Sequence, residues 1–381
     1  MDVWSILIIV GLVQGLFVLT LFFAKKEFQN KSQRYLMILV GIFIWLQLEF
    51  LSIRWPYTID VTMFYGTRLG SWLAIGPVLF LYTKSLTTNK FEFGLKEALQ
   101  FLPFVFFVLV LPLFYSDFLS FRQVHYGMLT AFDNFKQEVS PIQYVYSSVF
   151  IAQFIHLFVY LLLSLKTVNY YKQVLNKSYS SYSESEIAWL KVTIYFLIAI
   201  LFFAALFLVR YFFNLEYRRH LDYIYVLPMS FLMYLVSYKL AGVQFTSLAE
   251  EEVVENSKYQ KSSLKPEQAQ AYAESLQEFV EEKKPFLTNG LKLKDLSEQL
   301  DIPLNHLSQV INDKFGDSFY DFINKHRVLE AKQLMEKEKK ATLLEIAYSS
   351  GFNNKTSFAN AFKKFVGLSP SSYRKKLVEE R

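Results

Sequence analysis

Two stretches near the end of this chain carry side chains suited to contact with a polyanion. In the first, from Leu304 to Phe315, Leu304, Leu307, Val310, Ile311 and Phe315 share one helical face, while Asn305, His306, Ser308, Gln309 and Asn312 lie elsewhere. Amides and hydroxyls on an exposed helix face suit hydrogen bonding to base edges and phosphates in a major groove. The second stretch, Lys355 to Lys376, holds Lys355, Lys363, Lys364, Arg374, Lys375 and Lys376 and no acid. Clustered cations neutralise phosphates and bind by counterion release. A basic run is also compatible with a merely solvated face, so its meaning depends on the elements that position it.

Those elements read as two copies of one arrangement. A short helix from Lys294 to Leu300, with Leu296 and Leu300 inward, stops at Asp301-Ile302-Pro303 and is followed by the helix Leu304 to Phe315. A long helix, Asp317 to Lys337, leads to a second short helix from Leu343 to Ser350, a turn at Gly351-Phe352-Asn353, and a helix from Asn354 to Phe365. Two helix-turn-helix units joined by one helix are therefore expected. Asn353 and Asn354 fit a turn and an N-cap. His306 is expected on the exposed side of its helix, and His326 in a structural place on the connecting one.

The stretches Phe322-Ile323-Asn324 with Arg327 and Glu330-Ala331-Lys332, then Glu345-Ile346-Ala347, Gly351-Phe352-Asn353, Ser357-Phe358, Phe362-Lys363-Lys364, and Gly367-Leu368-Ser369-Pro370 with Tyr373-Arg374 resemble, in order and spacing, the AraC/XylS family of bacterial transcription regulators. The resemblance spans residues 285–376, about a quarter of the chain. It implies that double-stranded DNA is read by Asn305, Ser308, Gln309 and Asn312 in the first helix and by Lys355, Thr356 and Asn360 in the second, with Ser357 and Lys363 nearer the backbone. Lys364 and Arg374 join them as part of the basic cluster. RNA polymerase is a further partner implied by the resemblance. Several relatives have Arg where this chain has Gln309 and Asn360, and Arg is the usual guanine reader, so the departure bears on base identity rather than on binding. Family members that carry a soluble effector domain in front lend nothing to the rest of this chain.

The rest is apolar. Seven segments approach the roughly 20 residues needed to cross a bilayer: Val3 to Ala24, Tyr35 to Ser52, Leu69 to Leu86, Leu99 to Tyr115, Ile142 to Leu165, Trp189 to Phe213 and Tyr223 to Leu240. The first lacks a basic leader and a small-residue cleavage site, which favours a retained span. With Lys84, near the end of the third span, counted with the connection that follows it, the first, third and fifth connections hold ten Lys and Arg against six in the second, fourth and sixth, a bias that puts the N-terminus outside and everything after Leu240 in the cytoplasm. The expected fold is thus all-α: a seven-helix transmembrane bundle over residues 1–240, an acidic and partly helical linker over 241–282, and a DNA-reading domain over 283–381. With the resemblance, the expected location is the cytoplasmic membrane of a bacterium.

Charge follows the same division. Nineteen basic and thirteen acidic residues fall in 1–249, three and nine in 250–282, and eighteen and twelve in 283–381, giving net charges of +6, −6 and +6. In the linker, Leu264, Tyr272, Leu276 and Phe279 recur at helical spacing, which leaves open a dimerising helix or a solvated tether. The run Glu250, Glu251, Glu252 would be repelled by an anionic leaflet.

Ionisable residues inside spans are costly and therefore informative. Glu49 and Arg210 fall in the outer half of the expected bundle, with Arg68 at the mouth of the third span, where they would line a polar sensor pocket for a small or lipid-borne signal or form an ion pair between helices. Gln153 and His156 suit interhelical hydrogen bonds. Gly11-Leu12-Val13-Gln14-Gly15 fits the small-xxx-small pattern of helix dimers, so a homodimer stays open. The absence of Cys excludes disulfides, thiolate metal sites and Cys nucleophiles. No metal-binding, cofactor-binding or catalytic constellation is legible, which leaves a membrane-bound regulator as the first reading. A transporter or membrane enzyme regulated by its tail through protein contacts is the second.

Overall fold

A computed structural model describes residues 3–54, 68–88, 91–110, 141–180, 184–212, 226–242, 264–338 and 340–379. Outside them lie the acidic run Glu250 to Glu252, the loop cations Arg122, Lys136, Arg218 and Arg219, and the expected fourth span beyond Val110. The side chains of Arg68 and Arg210 are likewise outside the description. Every described element is helical, apart from one isolated antiparallel bridge between Tyr179 and Lys292. The chain divides into two compact units, Met1–Val168 with Ala188–Glu250, and Asn169–Ile187 with Glu251–Arg381.

In the first unit the helices are α1 (Val3–Ala24), α2 (Lys31–Arg54), α3 (Arg68–Thr87), α4 (Leu95–Leu99), α5 (Leu102–Val105), α6 (Pro141–Ser178, its last turns in the second unit), α7 (Glu184–Phe212) and α8 (Val226–Gly242). Ser5–Ala24 and Ile151–Ser178 are long and apolar enough to cross a membrane by length and composition. The expected single helix from Leu99 does not form: α4 ends there, Pro103 cannot donate to a continuing ladder, and α5 passes into a π-helical turn at Phe106–Val110.

The glycine pair of α1 packs inside this unit rather than waiting for another copy. A Cβ on Gly11 would lie 2.2 Å from Ser230 Oγ, and one on Gly15 would lie 2.6 Å from Ile44 and 2.8 Å from Met233 Sδ. Polar side chains follow them inward. Gln14 donates to Ser237 Oγ at 2.6 Å, Gln47 donates to Ser230 Oγ at 2.9 Å, and the Gln153 side-chain oxygen accepts from the Gly70 amide at 3.0 Å. Val10, Val13, Leu16, Phe17, Ile155, Phe158, Phe202 and Phe231 are exposed, whereas Gln47, Glu49, Gln153, Thr83 and Ser164 are buried.

The second unit contains α9 (Pro266–Lys283), α10 (Leu293–Leu300), α11 (Leu304–Phe315), α12 (Phe319–Lys337), α13 (Leu343–Ser349), α14 (Lys355–Val366) and α15 (Pro370–Glu379), together with residues 169–187. It has two cores sharing α12. One gathers Leu276, Val280, Phe286, Leu296, Leu307, Ile311, Phe322 and Ile323; the other gathers Val328, Ala331, Met335, Ile346, Phe352, Phe358 and Phe362. The apolar face of α9 is therefore committed to the first core. Leu276 is fully buried and Tyr272 and Phe279 pack beside it, so the face that the sequence offered to a dimer or a tether closes this unit instead.

Candidate nucleic-acid interface

Each half of the second unit has a short scaffold helix, a turn and a longer helix. In the first half, α10 ends where Asp301 adopts a left-handed conformation (φ 52°), and Ser297 Oγ donates to the Ile302 carbonyl at 2.6 Å, fixing the turn before α11. In the second, Thr342 and Glu345 form a reciprocal capping box on α13, with the Thr342 amide donating to Glu345 at 2.6 Å. Asn354 then caps α14 by accepting from the Ser357 amide at 2.8 Å, the role expected from its position.

The turn before α14 requires glycine. Gly351 has φ 89°, and a Cβ there would lie 2.3 Å from the Phe286 carbonyl oxygen and 3.0 Å from Arg327 Nε. Phe286 belongs to the first core and Phe352 to the second, so this turn sits where the two halves meet.

On α14 the expected reading residues share a solvent face. Lys355, Thr356, Asn360, Lys363 and Lys364 are exposed, Ser357 is half-buried, and Phe358, Ala361 and Phe362 point into the core. Lys364 is tied to Asp321 of α12 at 2.5 Å, which leaves it less charge for phosphate than Lys355 or Lys363. Arg374 does not join the exposed cluster. It is half-buried on α15 and donates from Nη1 to the Ala341 carbonyl at 2.8 Å, bracing the start of the second half.

On α11 the sequence reading needs correction in two places. Ser308 is buried, not exposed, because it lies four residues after Leu304 and three before Ile311, inside the apolar stripe. His306 is half-buried against Tyr272 of α9, with ring centroids 6.1 Å apart. Asn305 and Asn312 are exposed; Asn312 donates to the Ser308 carbonyl at 2.7 Å. Gln309 donates to Asp313 at 3.1 Å, so a carboxylate not considered from the sequence orients this amide and adds negative charge to the face.

A scan against known families matches a helix-turn-helix domain over residues 296–376. Residues 296–376 carry a helix-turn-helix domain. Among curated proteins, the chain is similar to the transcriptional regulatory protein HptR of Staphylococcus aureus strain NCTC 8325, at 29% identity over 98 residues, which is 26% of this chain and 38% of that protein. It is also similar to the Msm operon regulatory protein of Streptococcus mutans serotype c, at 28% identity over 89 residues, 23% of this chain and 32% of that protein. The chain thus spans little more than a third of the curated relatives it matches. No solved structure matches it.

One residue whose structural role escaped the sequence reading is Arg327. It is fully buried within α12, between the two cores, and its hydrogen-bond partners among the described residues include no carboxylate. Nε donates to the Phe286 carbonyl at 2.7 Å, Nη2 to the Thr288 carbonyl at 2.9 Å, and Nη1 to Asn324 Oδ1 at 3.2 Å. Its Cζ lies 5.7 Å from the centre of the Phe352 ring. Burial pulls the guanidinium down to about 10, still cationic at neutral pH. A signal was available: Arg327 follows Ile323 by four residues and precedes Ala331 by four, so the only cation of that stripe had to be buried with partners.

Proposed function

We propose that this chain is a membrane-bound, sequence-specific DNA-binding transcriptional regulator in which a signal at residues 1–240 changes how residues 283–381 engage promoter DNA. The observation that carries the reading is the pairing of two helix-turn-helix halves with a cationic face on α14, a helix that contains no acidic residue. The names of the matched relatives, a transcriptional regulatory protein and an operon regulatory protein, point the same way.

Membrane attachment draws support from the polarity of the first unit. Its helices expose valine, leucine and phenylalanine and bury glutamine, glutamate and serine. In water such a surface would associate or aggregate; in lipid, polar side chains belong between helices and apolar ones outside. On this reading seven spans cross the bacterial cytoplasmic membrane, the N-terminus lies outside, and Glu49, Arg68 and Arg210 mark the sensing end. Asn305, Gln309, Asn312, Lys355, Thr356, Ser357, Asn360 and Lys363 face the duplex, RNA polymerase is contacted at the promoter, and two chains pair on tandem sites.

The test uses the intact protein in lipid nanodiscs and selection from random duplex DNA at several salt concentrations. The expected result is enrichment of one sequence and a log affinity falling steeply with log salt, as several phosphate contacts require. Failure to prefer any sequence overturns the regulator reading in favour of a tail that acts through protein contacts. Orientation is tested by fusing a reporter active only outside the cytoplasm. It should work within residues 116–140 and fail after Leu240; the reverse pattern denies α11 and α14 access to DNA.

A further inference from the structure

The reader's compact unit includes a segment far from it in sequence. Residues 169–187, the end of α6, the start of α7 and the link joining them, group with residues 251–381. Tyr179 and Ser180 are buried there, at 3% and 1% exposure. Tyr179 forms the antiparallel bridge with Lys292, whose ammonium lies 5.4 Å from the centre of the tyrosine ring. The Ser180 amide donates to the Leu291 carbonyl at 3.1 Å. Its carbonyl accepts from Arg327 Nη1 at 3.2 Å and from Asn324 Nδ2 at 3.3 Å, and its hydroxyl accepts from Arg327 Nη2 at 3.2 Å.

Ser180 thus supplies two of the acceptors that keep satisfied a buried guanidinium that meets no carboxylate among the described residues. Buried cations without full hydrogen bonding are costly to leave exposed to an apolar surround. Arg327 is no ordinary structural arginine either: it joins Phe286, Thr288 and Asn324 on one side to Phe352 on the other, at the seam between the helix-turn-helix halves.

We propose that the α6–α7 link is a latch for the DNA reader, in which Ser180 completes the Arg327 socket and so fixes the two helix-turn-helix halves in the relation needed to occupy adjacent sites on one duplex. This rests on the DNA-reading proposal above. With Ser180 seated, the halves are preorganised and bind a two-half-site duplex as one ligand. With Ser180 withdrawn, Arg327 loses acceptors, the seam loosens, and each half binds on its own. Ser180 lies two residues beyond the end of α6, so on this proposal a displacement of that helix reaches the latch. The latch therefore names the place where a signal is handed to the reader.

The experiment exploits a chain that has no Cys. Tyr179→Cys with Lys292→Cys places two thiols at an antiparallel bridge pair, within the Cα spacing that a disulfide spans. In native membranes, mild oxidation should yield an intrachain crosslink that neither single variant gives. In nanodiscs, Ser180→Ala should lower affinity for a two-half-site duplex by about tenfold while leaving affinity for a single half-site unchanged; one charged hydrogen bond is of that order. Adding the crosslink to Ser180→Ala and oxidising it should restore two-site binding, and reduction should abolish the restoration. DNA binding without crosslinking overturns the latch alone. Crosslinking with an unchanged ratio of two-site to one-site affinity in Ser180→Ala overturns its coupling role. Crosslinking without any DNA binding by the wild type overturns the reader, and the coupling with it.

Discussion

The two helix-turn-helix halves share a plan but are built from different material. The second is nearly self-sufficient along the chain: a capping box at Thr342 and Glu345, a glycine turn at Gly351, an Asn354 cap and a core drawn from residues 328–362. The first has no side-chain cap on α11, whose N-cap is Pro303, and completes its core with Leu276 and Val280 from α9. Charge divides the same way. The exposed face of α14 presents Lys355 and Lys363, while that of α11 presents amides beside Asp313. On the proposed DNA-reading function, the comparison teaches that attraction to the duplex and dependence on distant segments are assigned to opposite halves: the second supplies cations on a locally determined frame, and the first completes its core with a segment from outside the two repeats.

The largest expected effect tests that division. Leu276→Ala should destabilise the first core by about 2–5 kcal/mol, as for other buried leucines, with hydrogen exchange accelerated in α10 and α11 and far less in α14. Equal acceleration in both would show one cooperative unit and break the comparison.

Gln309→Ala should relax selectivity at one half-site at a cost of roughly 1–3 kcal/mol if a bidentate base contact is lost. Lys363→Ala should weaken all sequences alike and reduce the salt slope by about one. Interchanged outcomes, measured by affinity across salt for matched and mismatched duplexes, would reverse the roles given to α11 and α14.

Arg374→Ala sharpens the assignment of cations. Because Arg374 holds the Ala341 carbonyl, its loss should lower the unfolding free energy by roughly 1 kcal/mol and leave the salt slope unaltered. A slope reduced as much as in Lys363→Ala would return Arg374 to the phosphate-binding set.

The smallest effect concerns local capping. The Thr342 amide, and then its hydroxyl, hold the Glu345 carboxyl below the usual carboxylate range. A folded pKa below the unfolded value means the stabilisation is present above the unfolded pKa and fades as pH falls through the folded one. Glu345→Gln should therefore remove a stability difference present at neutral pH and absent in strong acid, read from denaturant midpoints across that range. Asn354→Ala should cost about 1 kcal/mol at every pH, since an amide cap does not titrate there.

Much of the architecture was legible in the residues themselves. The starts of α1 and α11 and the end of α12 fall where apolar periodicity and terminator residues put them. Ser318, whose hydroxyl accepts from the Asp321 amide at 3.1 Å, starts α12 at Phe319 rather than at Asp317. Helix α15 was not anticipated as a helix, although Pro370 offers a common first-turn residue. For the interface, Lys355, Thr356, Asn360 and Lys363, which the family resemblance implied, are exposed together on α14, because residues on one helix sort by a period that is local.

What spacing could not determine was which groups meet across long separations. The family resemblance made Ser308 a reading residue; the packing of α11 put it inside. Arg374 looked like a phosphate ligand because its neighbours are basic; the carbonyl of Ala341, thirty-three residues away, claimed it. Ser180 and Arg327 are separated by 147 positions, and no periodicity links a serine at the end of one helix with a buried arginine in another. The sequence by itself determined most of the helices of the second unit, its two repeated halves and the exposed Lys355 and Lys363, since these depend on side-chain chemistry and short-range geometry. Only the tertiary structure decided the partners of Ser180, Arg327 and Arg374, because a buried polar group is satisfied by whatever donor or acceptor the fold brings within 3 Å or so of it.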